Sequence, residues 1–135
     1  MPSKITKGYK HLLEQANSVV TAIGQAEAMA LLGNPNYVFV DLRDPRELHR
    51  EGKIPGAFHC PRGMLEFWID PESPYAKPIF QEDRTFIFYC ASAWRSALSA
   101  RTAQDMGLAP VAHLAGGFTA WREAGGAVEA VEQKK

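Results

Sequence analysis

The chain has 135 residues and a mass of 14.9 kDa, a length that suits one domain of the usual ~100 to 200 residues and leaves no room for a second. Hydrophobic residues make up 46% and charged residues 22%, so the chain can bury a core, and the fibrous, collagenous and disordered classes are excluded. Lys plus Arg (15) equals Asp plus Glu (15), which removes any global field toward nucleic acid or an anionic membrane.

Residues 4–16 place Ile5, Tyr9, Leu12, Leu13 and Ala16 at helical spacing, with Lys4, Lys7, Lys10 and Glu14 on the other side. This predicts a helix docked on the domain. Val19 to Ile23 is a short β-branched run, and Gly24 opens a helix over Gln25 to Leu32 that Gly33-Asn34-Pro35 ends. Tyr37 to Leu42 is a continuous apolar run broken only by Asp41, the pattern of a strand covered on both faces. A short helix over Pro45 to Arg50 follows, with Asp44 as N-cap and Gly52 as its stop.

Ala57 to Cys60 reads as a brief strand cut off by Pro61, Met64 to Trp68 as a short aromatic helix, and the segment holding Pro71, Pro74 and Pro78 as an extended loop. Thr85 to Tyr89 is the strongest strand in the sequence and runs directly into Cys90. Ser96 to Met106 reads as a helix stopped by Gly107, and Val111 to Leu114 as a strand. Gly116-Gly117 then leads into a helix over Phe118 to Glu123. Strands alternating with helices over short connections predict a parallel sheet with right-handed crossovers. The expected organisation is an N-terminal helical arm over 1–17, one domain over 18–128 and a charged, frayed tail over 129–135.

Cys60 and Cys90 are the only cysteines. Two thiols in a chain large enough to fold without staples argue against a disulfide framework and for a reducing compartment. With no apolar run near the ~18 to 20 residues of a membrane span, the expectation is a soluble cytoplasmic domain. No cofactor or metal is expected.

Open parallel sheets bind ligands at the carboxyl ends of their strands, which singles out Asp41 and Arg43, Cys60, the stretch Cys90 to Arg95, and Gly116-Gly117. Cys90 leaves a buried strand, enters the small-residue loop Ala91-Ser92-Ala93 and meets Trp94-Arg95-Ser96 where a helix begins. Backbone N–H groups in such a turn converge on one anion, and the helix N-terminus adds partial positive charge, so a thiolate there is favoured. Arg95 adds a fork of donors suited to sulfur oxyanions, phosphate or carboxylate. Cys60 has no such loop and reads as a buried structural thiol.

Three stretches carry a resemblance. Asp41-Leu42-Arg43 with Glu47 and Gly52-Lys53-Ile54-Pro55-Gly56-Ala57, then Cys90-Ala91-Ser92-Ala93-Trp94-Arg95-Ser96, then Leu114-Ala115-Gly116-Gly117-Phe118-Thr119-Ala120-Trp121 occur in the order of the rhodanese-like sulfurtransferase family. The chain resembles its single-domain members over about residues 19–127. The resemblance implies a twisted parallel sheet of about five strands with helices on both faces. It also implies a cysteine that takes a sulfane sulfur from a donor such as thiosulfate, becomes a persulfide and passes the sulfur to a thiol, a protein thiol or cyanide.

On that resemblance Cys90 is the sulfur carrier and Arg95 orients the loop and helps hold an anionic donor. Ala91, Ser92, Ala93, Trp94 and Ser96 form the substrate loop. Asp41 and Arg43 are read as an ion pair bracing the loops, and Gly116 and Gly117 as permitting a turn near the site that a Cβ would block. Trp94 with Met64, Phe67, Trp68 and Tyr75 could wall an apolar mouth. The sequence departs from the family pattern at Lys53, in place of a usual histidine, at Ala93, in place of a frequent loop glycine, and at Trp94, where a smaller or basic residue is common.

Two readings from other classes remain. A non-catalytic interaction or sulfur-carrier module is disfavoured by the intact cysteine, arginine and loop length. A cysteine-based phosphatase or arsenate reductase is disfavoured because the loop from Cys90 to Arg95 is one residue shorter than that of the related phosphatases.

Overall fold

The computed structural model describes residues 2–132. Six helices, α1 (Tyr9–Val19), α2 (Gln25–Leu31), α3 (Pro45–Glu51), α4 (Leu65–Ile69), α5 (Trp94–Met106) and α6 (Gly117–Glu123), surround five strands, β1 (Thr21–Ile23), β2 (Tyr37–Asp41), β3 (Phe58–His59), β4 (Thr85–Tyr89) and β5 (Val111–Leu114). The strands form one sheet in the order β1-β5-β4-β2-β3, and every pairing is parallel. The most apolar strand, β4, therefore lies at the centre, flanked by β5 and β2.

Alternation along β4 divides the core. Phe86 and Phe88 face a layer containing Val38, Val40, Leu65, Phe80, Ala100 and Val111. Ile87 and Tyr89 face the opposite layer, with Phe39, Leu114, Phe118 and Trp121. A strand buried on both sides needs apolar residues at both parities, which is why β2 and β4 read as unbroken runs.

Asp44 caps α3 by accepting from the backbone N–H groups of Arg46 and Glu47, while Glu47 reaches back to the Asp44 N–H. This reciprocal box satisfies donors that the first turn leaves free. The segment expected as an extended loop differs in one respect: Pro78–Gln81 forms a 3-10 turn that buries Phe80, because Phe80 packs on Phe58 and Phe86. Helix α5 opens at Trp94, two residues before the expected Ser96.

The segment expected to fray from Glu129 starts with a pairing to the turn after α3. Glu129 exchanges two backbone hydrogen bonds with Lys53, at 2.9 and 2.8 Å, and its carboxylate lies 3.5 Å from the Lys53 ammonium. Residues 133–135 lie outside the described residues. No helix among the described residues is long and apolar enough to cross a membrane.

Candidate active site

Because β4 is central, the loops after β4, β5 and β2 meet at one edge of the sheet. Each holds residues singled out from the sequence: Cys90 to Arg95, Gly116-Gly117, and Asp41 to Arg43.

Cys90 is fully buried. Its carbonyl accepts from Phe118 N–H at 2.8 Å, and the Ala91 carbonyl accepts from Thr119 N–H at 3.1 Å. In a trans peptide the N–H points opposite to the C=O, so pinning these two carbonyls on α6 turns the N–H groups of Ala91 and Ser92 away from it, into the loop. The amides from Ala91 through Ser96 donate to no acceptor among the described residues. The loop thus offers a run of free donors, the last three belonging to the first turn of α5, whose dipole adds to them.

Two backbone features make this loop. Ala93 turns the chain into α5 with φ 81°, the one non-glycine residue with positive φ among those described. A left-handed backbone suits glycine and is unfavourable for a residue with a Cβ. Gly117 has φ 65°, and a Cβ built on it would fall 2.6 Å from both the Cys90 and Ala91 carbonyl oxygens. A side chain there would push against backbone, so only glycine allows α6 to approach the cysteine loop. At Gly116 a Cβ would meet the Ala120 methyl instead, at 2.7 Å.

Arg95 is half-exposed, and its Nη1 and Nη2 bind Glu47 Oε1 and Oε2 at 2.7 and 2.9 Å. The Glu47 hydrogen bond raises the arginine's pKa against the opposing effect of burial, and the same contact with Arg95 holds the Glu47 carboxyl below its usual range. Ser96 and Ser99 continue the network. Ser96 Oγ lies 3.1 Å from Nδ1 of buried His113 on β5, and Ser99 Oγ donates to the Arg95 carbonyl at 2.6 Å. Burial lowers the pKa of His113, so the ring is neutral at neutral pH.

Asp41 and Arg43 are both fully buried. Arg43 Nε and Nη2 donate to the two Asp41 oxygens at 3.0 and 2.7 Å, and Nη2 also donates to the Gly52 carbonyl at 2.7 Å. The guanidinium lies 4.3 Å from the Phe118 ring centroid. Burial works against its charge, but Asp41, with Tyr89 and Glu47, more than offsets it. The pair ties the end of β2 to the turn after α3 and to α6.

The aromatic residues expected around Trp94 have these surroundings. Trp68 packs edge-on against Phe58, 5.9 Å between centroids, beneath the Lys77 ammonium, so it belongs to the core margin. Phe67 and Tyr75 are exposed. The ring that meets Trp94 is Tyr9 of α1, at 5.0 Å and 39°. Sequence reasoning placed Tyr9 only in the docking stripe of the arm. It also missed the roles of Glu47 and His113; the D-x-x-E spacing of Asp44 and Glu47 signalled a cap, but nothing local marked the second partner.

Cys60 is buried in the core, and burial pushes its thiol up to about 12. A cleft of about 400 Å³ lined by Ile69, Phe80, Gln81, Met106 and Leu108 lies at the far end of α5 from the loop.

Fold and loop together define a class: α/β domains that hold one cysteine under a run of backbone amides. Within that class the rhodanese-like domain matches residues 24–124, and the chain belongs to that family. It is 63% identical to a Rhodopseudomonas palustris CGA009 protein described as of unknown function and a possible tyrosine phosphatase; the match covers 96% of this chain and 99% of that one, with a TM-score of 0.93. It is 26% identical to the mouse thiosulfate sulfurtransferase/rhodanese-like domain-containing protein 3, over 70% of this chain. The human single-domain sulfurtransferase shares the fold, with 24% identity over 77% of this chain and 96% of that one and a TM-score of 0.66. The chain spans 64% and 44% of the lengths of two curated relatives it matches.

Proposed function

We propose that the protein is a rhodanese-type sulfurtransferase that carries sulfane sulfur on Cys90. The observation that supports this most is the run of unclaimed amides from Ala91 to Ser96 over a single buried thiol. In the first half-reaction the Cys90 thiolate attacks the outer sulfur of thiosulfate or a similar donor. The new Sγ–S bond forms as the donor's S–S bond breaks, and sulfite leaves with the electron pair. In the second, a thiolate or cyanide attacks the outer sulfur of the persulfide, and the Cys90 thiolate is the leaving group. The amides stabilise the anionic sulfur at both stages.

Arg95 keeps donors beyond the two that Glu47 occupies, enough to hold the sulfonate end of a donor. Cys90 is buried at rest, so the donor reaches it through a local opening of the loop.

The description of the Rhodopseudomonas palustris relative favours a second reading, hydrolysis of phosphate esters. Against it stands the short loop: Cys90 to Arg95 surrounds one added sulfur atom, whereas a phosphoryl group needs a wider ring of donors. Intact mass after incubation with thiosulfate tests the choice. One added sulfur, absent in Cys90→Ser, supports sulfur transfer. No adduct together with turnover of an aryl phosphate overturns it.

A further inference from the structure

Helices α1 and α5 lie side by side with a nearly constant sequence offset. Tyr9 packs against Trp94, Gln15 Oε1 accepts from Arg101 Nη1 at 3.3 Å, and the Val19 carbonyl accepts from Gln104 Nε2 at 3.1 Å. Contacts that advance together along both chains mean that the helices are parallel. Since α5 starts at the cysteine loop, α1 also starts there. Its leading residues therefore lie on the active-site edge of the sheet, although α1 falls outside the matched family region, which begins at residue 24.

The first turn of α1, which starts at Tyr9, and the non-helical segment leading into it have an unusual composition. Lys4, Lys7, Lys10 and His11 precede the first acidic residue, Glu14, in a chain whose net charge is zero. All three lysines are exposed, and none joins an ion pair among the described residues. Between them, Ile5 is 76%, Tyr9 52% and Trp94 56% exposed. The tilted Tyr9–Trp94 pair, kept half in water, is not needed to hold α1 down, since buried Ala16 and the two hydrogen bonds to α5 do that.

We propose that the amino end of α1, with Trp94, is the docking surface for the sulfur acceptor, and that this acceptor is a cysteine in an acidic peptide segment. The proposal rests on the sulfurtransfer reading of Cys90. Charge complementarity chooses the partner: the lysines attract carboxylates, and the Tyr9–Trp94 pair takes up an apolar side chain next to the reacting thiol. A surface that runs from the lysines leading into α1 to the Tyr9–Trp94 pair exceeds what cyanide or a two-carbon thiol can touch, so a peptide is the fitting occupant.

Two readouts test it. The first is fluorescence anisotropy of a labelled glutamate-rich peptide carrying serine in place of cysteine, compared with a lysine-rich peptide of the same length. The acidic peptide is expected to bind more tightly, less so at high salt, and about tenfold more weakly to Tyr9→Ala and to the double variant Lys7→Gln, Lys10→Gln. The double variant changes only exposed side chains, so it remains informative if Tyr9→Ala loosens α1. The second readout is the ratio of turnover with the acidic cysteine peptide to turnover with cyanide, expected to fall about tenfold in both variants. Equal binding of the two peptides, or variants that bind like the wild type, would overturn the docking surface. Tight, variant-sensitive binding with no sulfur transfer to any acceptor would instead overturn the sulfurtransfer reading, and with it the acceptor role of this surface.

Discussion

Arg95 closes the cysteine loop, and both of its Nη atoms are held by the two carboxylate oxygens of Glu47, 48 residues earlier in the chain. Glu47 is itself fixed by the capping box of α3, so the start of α3 sets where the loop's guanidinium points. Glu47→Gln keeps the shape and removes the charge. We expect sulfur transfer to slow by about tenfold, mainly through a higher KM for thiosulfate, if Arg95 positions the anionic donor. The pairing also has a pH signature. Glu47 has a lowered pKa when folded, so its contribution is complete above the ordinary carboxyl value of 4.5 and is lost as pH falls through the folded value. A half-exposed pair of this kind contributes up to about 1 kcal/mol. Urea unfolding at pH 7 and at pH 3 should show a larger wild-type advantage over Glu47→Gln at the higher pH.

Ala93 holds a left-handed backbone with φ 81°, which is unfavourable for an L-residue by about 1–2 kcal/mol. Glycine removes that strain but gives back roughly 0.5–1 kcal/mol of unfolded-state entropy. Ala93→Gly should therefore raise stability by less than about 1 kcal/mol, whereas Ala93→Val, β-branched, should lower it. Denaturant midpoints for the two variants check the sign, and a stabilising valine would contradict the strained conformation.

Much of the fold could be read from the chain, and the reason is local. Strands β2, β4 and β5 are short apolar runs ending at polar or small residues, and their observed limits agree with the pattern to within a residue. The start of α5 reads two residues late in the sequence because no side chain caps the helix at Trp94; the left-handed backbone of Ala93 makes the turn, and composition does not mark it. In the candidate site, Cys90, Arg95 and the glycine pair could be named because each follows a strand. Glu47–Arg95, Ser96–His113 and Tyr9–Trp94 could not be paired, since their separations are set by crossovers and leave no periodic trace.

The close approach of α6 to the cysteine loop predicts that Gly117 tolerates no side chain. In Gly117→Ala the added methyl would sit 2.6 Å from the carbonyl oxygens of Cys90 and Ala91. Neither oxygen can move without breaking its bond to Phe118 or Thr119 N–H. We expect a loss of at least about 2 kcal/mol in stability and a large fall in persulfide formation, even at temperatures where the variant stays folded. A folded Gly117→Ala with wild-type adduct yield would show that these carbonyls do not shape the site.

The two thiols should separate cleanly in alkylation. Cys60 is buried in the core and its thiol is pushed up to about 12, so the native protein keeps it neutral and unreactive through pH 9. Iodoacetamide mapped by peptide mass should modify Cys90 in the native state and Cys60 only after unfolding, and Cys60→Ser should retain transfer while Cys90→Ser abolishes it. There is an alkaline corollary. Above the ordinary thiol value of 9.0 the unfolded chain ionises Cys60 and the folded one does not, so this group's contribution to stability is full below pH 9 and declines as pH rises toward 12.

Asp41 and Arg43 pose the question of bracing against chemistry, and their geometry favours bracing. Both are fully buried, and the guanidinium is shared among Asp41, the Gly52 carbonyl and the face of Phe118. Removing the Asp41 charge leaves buried Arg43 with only the more distant Glu51 carboxylate, 4.0 Å from its Nη1, and breaking a buried pair destabilises proteins by about 3–5 kcal/mol. Asp41→Asn keeps the size and one acceptor oxygen, so its folded form still offers a ligand to Arg43 Nε or Nη2. The expected result is a large drop in the urea midpoint with a persulfide yield per folded molecule within about threefold of wild type, measured at low temperature with thiosulfate in excess. If Asp41 instead took part in the sulfur step, the yield would collapse while the midpoint moved little, and the bracing role would have to be given up.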